Sequence, residues 1–173
     1  MLKDLPKLPK RPLPIIFLFS FVLNAFGQSD SAETKINARN SVFIEILGSA
    51  GYLYNITYDR VVYSRKQNHI STGLGIQYLP SSDLSADDIF SISPQINYFR
   101  GTKHHFETGL AVAYDFNSGD LAIPIRIGYR FQKPDGGLFY KVGLTPLLTK
   151  SYPILGEGVS LVPWGGFAIG WTY

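Results

Sequence analysis

From Asn40 to Tyr173 the chain alternates large apolar residues with small, polar or charged ones, and no helical period breaks the alternation. It falls into eight segments of about ten residues, each closed by turn-forming residues. These predict strands at residues 40–49, 53–63, 69–79, 90–99, 104–115, 121–131, 138–148 and 162–173. One face carries the bulk: Val42, Ile44 and Ile46 in the first strand, Tyr54, Ile56 and Tyr58 in the second, Phe167, Ile169 and Trp171 in the last. The other face carries Glu45, Asn55, Thr57, Asp59, Ser71, Gly73, Gly75, Gln77, Ser91, Ser93, Gln95 and Asn97. It continues with Glu107, Gly109, Ala111, Arg126, Gly128, Arg130, Lys141 and Gly143. Pro94 and Pro124 are weak points of the fourth and sixth strands, because proline has no N–H for the ladder.

Two architectures can use this pattern. A soluble barrel puts the bulky set inside, and a membrane barrel puts it outside. An eight-stranded barrel has little interior volume, so the small set fits inside and the bulky set does not. Aromatic residues also gather near the strand ends. Tyr63, Tyr98, Phe106, Tyr129, Phe131, Tyr140, Trp171 and Tyr173 lie toward one rim, and Tyr54, Tyr78, Phe90, Tyr114 and Trp164 toward the other. Membrane interfaces select such girdles. The expected fold is therefore all-β: an eight-stranded antiparallel up-and-down transmembrane β-barrel over residues 40–173. An even strand count puts both chain ends on one side, with short turns at 64–68, 100–103 and 132–137. The longer connections, 80–89 and 149–161, fall on the other side.

The first 27 residues read differently. A basic, proline-rich start is followed by the apolar run 13–26, then by polar Gln28-Ser29-Asp30-Ser31. This is the tripartite pattern of a secretory signal peptide, with Ala25 and Gly27 placed for a cut before Gln28. The apolar run falls short of the roughly 20 residues of a membrane-spanning helix. Residues 28–39 read as a flexible polar lead-in. Export and an apolar outer face together place the chain in the bacterial outer membrane.

Charge then loses its apparent meaning. The net +3 arises in the segment to be removed: Lys3, Lys7, Lys10 and Arg11 stand there against Asp4, so 16 basic and 13 acidic residues become 12 and 12. No basic patch is left to bind nucleic acid. Cysteine is absent, which excludes disulfides, thiolate metal sites and a lipid-anchoring cysteine.

Candidate chemistry sits on the inward face. Glu45, Asp59, Glu107, Asp115, Arg126, Arg130 and Lys141 read as a lumen network in which buried charges neutralise one another, with a Glu107–Arg126 pair across neighbouring strands. An ion path or proton relay is the alternative use of the same residues. His104 and His105 are adjacent on a strand and point to opposite faces, so they do not chelate one ion. No serine lies in a nucleophile elbow, and no glycine loop for phosphate is present. No catalytic residue, metal or cofactor is assigned.

Several stretches resemble a family of small outer-membrane β-barrel proteins of Bacteroidota to which no activity is generally assigned. They are Glu45-Ile46-Leu47-Gly48, Tyr54-Asn55-Ile56-Thr57-Tyr58-Asp59-Arg60, Asn97-Tyr98-Phe99-Arg100-Gly101 and His105-Phe106-Glu107-Thr108-Gly109. Ile127-Gly128-Tyr129-Arg130-Phe131-Gln132, Gly136-Gly137-Leu138-Phe139-Tyr140 and Pro163-Trp164-Gly165-Gly166 complete the set. The family often has Glu where Asp59 stands, which keeps the charge. The resemblance implies fold and location and brings no catalytic residues. The alternating Phe167, Ile169, Trp171 and Tyr173 at the chain end likewise resemble the assembly signal of outer-membrane barrels. The expected partners are outer-membrane lipid, lipopolysaccharide and, during biogenesis, the barrel-assembly machinery, with the barrel itself a monomer. The expected role is structural, in envelope integrity or surface interaction. A lipid-modifying enzyme of the lipid A deacylase or acyltransferase type is the alternative, by fold-level analogy, and a narrow channel comes third.

Overall fold

A computed structural model describes residues 36–50, 54–81, 88–149 and 160–173. The expected signal peptide, its cut after Gly27 and most of the lead-in lie outside these residues. The strands are β1 (Asn40–Leu47), β2 (Tyr54–Arg65), β3 (Asn68–Leu79), β4 (Ile89–Gly101) and β6 (Leu121–Gln132). Three more are each interrupted once: β5 (His104–Ala111, then Ala113–Asp115), β7 (Gly137–Leu144, then Leu147–Thr149) and β8 (Ser160–Val162, then Gly165–Thr172). Each pairs antiparallel with the next. β8 then pairs with β1 from Ser41↔Thr172 to Leu47↔Gly166, which closes an eight-stranded barrel. Closure removes the free strand edges that an open sheet would leave.

The period-2 alternation becomes inside and outside. Ile44, Ile46, Ile56, Ile76, Ile96, Ile127, Val142, Ile169 and Trp171 point outward and are exposed, while Glu45, Asn55, Thr57, Asp59, Ser71 and Asn97 are buried in the lumen. Two-residue and four-residue turns close one end. Lys66, with φ 54°, lies in the first of these, and Gly136, with φ 92°, sits in the Asp135-Gly136 turn before β7.

Prolines cause the interruptions of β5 and β7. Val112 donates to the Pro94 carbonyl (3.0 Å) and Ile125 to the Pro146 carbonyl (3.0 Å), but neither proline returns a bond. Pro94 thus stays within β4 and breaks its neighbour instead. One bulge, between Val61 and Tyr63, shifts the β2–β3 register by a residue and leaves Val62 outside.

At the end where the chain enters the barrel, residues 36–39 cross the mouth. Asn37 and Ala38 N–H both donate to the Pro134 carbonyl (2.9 Å each), and Gln132 Nε2 donates to the Ala38 carbonyl (3.2 Å). Ile36 is buried against Val61 and Phe99. The last four residues of the lead-in are therefore held by the barrel.

Candidate functional site: the lumen charge network

Six of the seven charged residues expected in the lumen meet there. Arg126 pairs with Glu45 across the lumen, and its Nη2 also donates to Ser49 Oγ (2.6 Å). Ser49 belongs to the Gly48–Ala50 turn that follows β1, and its hydroxyl donates to Glu45 Oε2 (2.6 Å). Arg130 Nη2 meets Asp59 Oδ2 (2.8 Å), and its Nε donates to Gln132 Oε1 (2.8 Å). Glu107 is the hub. It lies 3.5 Å from Arg126 Nε, 3.3 Å from Arg130 Nη1 and 3.2 Å from Lys141 Nζ. Three acids thus neutralise three bases, all of them buried. The expected Glu107–Arg126 contact exists, but it is one of three at Glu107. The seventh residue, Asp115, stands apart at the last position of β5, where it accepts from Asn117 N–H (3.1 Å) and Ser118 Oγ (2.8 Å) of the following turn.

The inward face also holds bulk that its small and polar composition did not suggest. Phe43, Phe99 and Phe139 are fully buried in the lumen. Phe99 and Phe139 cover the Arg130 guanidinium at 4.1 and 4.8 Å, and Phe43 lies 4.4 Å from Lys141 Nζ. The aromatic faces stabilise cations withdrawn from water. Gly170 makes room for this layer, since a Cβ there would come within 2.5 Å of Phe43 Cβ. The signal was present in the sequence: Phe43 shares the phase of Glu45, Phe99 that of Asn97, and Phe139 that of Lys141.

The histidines divide as adjacency requires. His104 points outward and meets the Tyr129 hydroxyl (2.6 Å), whereas His105 points into the lumen. There it lies edge-on to His69, with ring centroids 5.7 Å apart. His69 Nδ1 is 2.9 Å from Ser64 Oγ, and its Nε2 faces the Gly101 carbonyl rather than a carboxylate. Among the described residues no three His, Cys, Asp or Glu gather as metal ligands.

The two rims differ in charge. Among the described residues, the rim with the short turns exposes Arg39, Arg60, Arg65, Lys66, Arg100, Lys103 and Lys133 against one exposed acid, Asp135. At the opposite rim the described charged residues are Asp88, Asp115 and Asp120. In comparisons with protein-family models, curated proteins and solved structures, none matched the chain.

Proposed function

We propose that this chain is an exported outer-membrane β-barrel that acts without catalysis, as a structural or surface-interaction element of the envelope. The observation that carries this reading is the inversion of the barrel. Ile46, Ile56, Leu144 and Trp171 are more than half exposed on the outside, while Arg130, Glu45 and Asp59 are fully buried within. Water would penalise that exterior and lipid would not. The aromatic rims and the short-turn end fit a periplasmic orientation of both chain ends. There the exposed Arg60 and Arg100, on the lipid side of β2 and β4, would reach lipid phosphates.

In this reading the partners are membrane lipid, lipopolysaccharide and the assembly machinery, and the protein is a monomer. The alternative reading, a lipid-modifying enzyme, finds less support. The Ser64–His69 contact has no carboxylate behind it among the described residues. Fractionation and gel migration test the proposal. Recovery with the outer membrane is expected, with faster migration before boiling than after. Recovery in the soluble periplasm would overturn it.

A further inference from the structure

One stretch of the barrel wall is short of hydrogen bonds. The N–H of Ile125 points to β7, where it bonds Pro146, so the backbone nitrogen of residue 124 faces β5. Residue 124 is proline, and the Ala111 carbonyl opposite it receives no ladder donor. Pro94 withholds a donor from Val112 in the same way, and Pro146 withholds one from Ile125. Three neighbouring carbonyls thus lack ladder partners, in a wall where lipid offers no replacement.

A cleft lies at the same place. It is lined by outward Leu110, by Ala111 and Pro124 of the seam, and by inward Gln95, Asn97 and Thr145. It is a slit without room for a free water molecule, so occupancy requires the wall to part. Gln95, Asn97 and Thr145 are each at least nine-tenths buried, and Gln95 Nε2, Asn97 Nδ2 and Thr145 Oγ1 have no hydrogen-bond partner. These are uncharged groups, two of them amide donors, and they match an uncharged acceptor oxygen better than a phosphate. Arg126, which also lines the cleft, is already neutralised by Glu45 and Glu107. Along β5, Ala111 and Val112 sit two to three residues inside the rim residue Tyr114, roughly 7–10 Å of strand. That is the level of acyl carbonyls just below the headgroups.

We infer that the seam between β5 and β6 is a lateral binding site for the carbonyl-bearing end of a membrane-lipid acyl chain, which meets Gln95, Asn97 and Thr145 from the bilayer side. The inference rests on the outer-membrane reading above.

The test uses the full chain in phospholipid bilayers doped with a phospholipid that carries a photoactivatable diazirine next to its acyl carbonyl. Adducts are mapped by peptide mass spectrometry. Labelling is expected on outward Leu110 and Val112 and also on inward Ala111, Gln95, Asn97 or Thr145. Pro124→Ala returns an N–H to Ala111 and should lower inward labelling about fivefold, the population change that one hydrogen bond of typical net strength produces. Outward labelling should not change. A diazirine at the terminal methyl should label the inward set less than the carbonyl-proximal probe does, a comparison that needs no variant. Adducts confined to outward residues, or inward adducts unchanged by Pro124→Ala, would overturn the seam and leave the membrane reading intact. Equal inward labelling by both probes would overturn the assignment to the carbonyl. Absence of adducts on the outward face would overturn the membrane reading itself.

Discussion

Lys141 Nζ lies 3.2 Å from Glu107 Oε1 although β6 separates their strands, so this pair ties β7 to β5 through the lumen and not along the wall. Glu107 also faces Arg126 and Arg130, so it alone balances parts of three cations. Removing one partner of a buried pair costs about 3–5 kcal/mol. Glu107→Gln is expected to reach the upper part of that range, because it leaves three cations to two carboxylates. Lys141→Met should cost less, since Arg126 and Arg130 still serve Glu107. The double variant should lose less than the two single losses together. Urea unfolding in detergent micelles checks this. Strict additivity would show that the 3.2 Å contact carries no coupling.

Phe139 covers both cations and stacks on Phe43, with ring centroids 4.9 Å apart. Phe139→Ala removes a fully buried ring and the face that stabilises Arg130. The expected loss is about 3–5 kcal/mol, as for buried aromatic truncations. Phe139→Leu restores most of the volume but no π face, and should recover only part. Full recovery with leucine, in the same unfolding measurement, would mean that packing alone accounts for the ring.

The alternation fixed which residues face inward, and that is why six of the seven expected lumen charges meet. It could not say which meets which. Glu45 reaches Arg126 across the barrel, and that contact depends on how far the register staggers on closure, a quantity no single strand records. The three inward phenylalanines were legible from phase and hidden by polarity, because the face as a whole reads small and polar. Pro94 and Pro124 were legible as weak points. That they weaken the same stretch of β5 followed only from the register, which sets Ala111 and Val112 between them.

Outside the strands, Asp88 gives a pH-dependent local bond. The Ser81 backbone N–H donates to its carboxylate (2.7 Å), and the Ser81 and Tyr78 hydroxyls add to this. Together they hold the Asp88 pKa below its ordinary 3.8. The folded carboxyl is the stronger acid, so the bond is fully present above the ordinary value and is lost as the pH falls through the lowered one. The Ser81 amide, followed by NMR, should keep its bonded chemical shift at pH 3.8 and lose it only in stronger acid. Asp88→Asn should abolish that transition. A transition at or above pH 3.8 would sink the assignment.

The chain end closes the barrel through its backbone. Tyr173 N–H donates to the Asn40 carbonyl (2.8 Å), and Asn40 N–H returns a bond to Tyr173 (2.9 Å). Deleting Tyr173 removes both bonds and the ring, whereas Tyr173→Ala keeps the bonds and removes the ring alone. If the terminal aromatic acts as an assembly signal, both variants should lower the heat-modifiable, outer-membrane form to a similar extent while export continues. If only closure matters, Tyr173→Ala should assemble normally. Equal assembly of all three chains would remove both roles.

The lumen should not conduct ions. A conducting path needs a continuous column of water, and three layers stand in its way. At the entry end, residues 36–39 cross the mouth with Ile36 fully buried. Next, the Arg130 guanidinium lies between Phe99 and Phe139 with no exposed surface. Beyond it, Arg126, Glu45 and Ser49 join the two sides of the wall. Barrels that hold a water channel have about sixteen strands, and eight leave room for side chains alone. In planar bilayers the wild type is expected to show no stable single-channel steps. Phe99→Ala with Phe139→Ala opens only the middle layer, so it should remain silent as well, because the Arg126–Glu45 layer still spans the lumen. Stable, large steps from the wild type would overturn the plugged lumen and raise the channel reading above the structural one. Steps from the double variant alone would identify the Phe99–Arg130–Phe139 layer as the sole barrier.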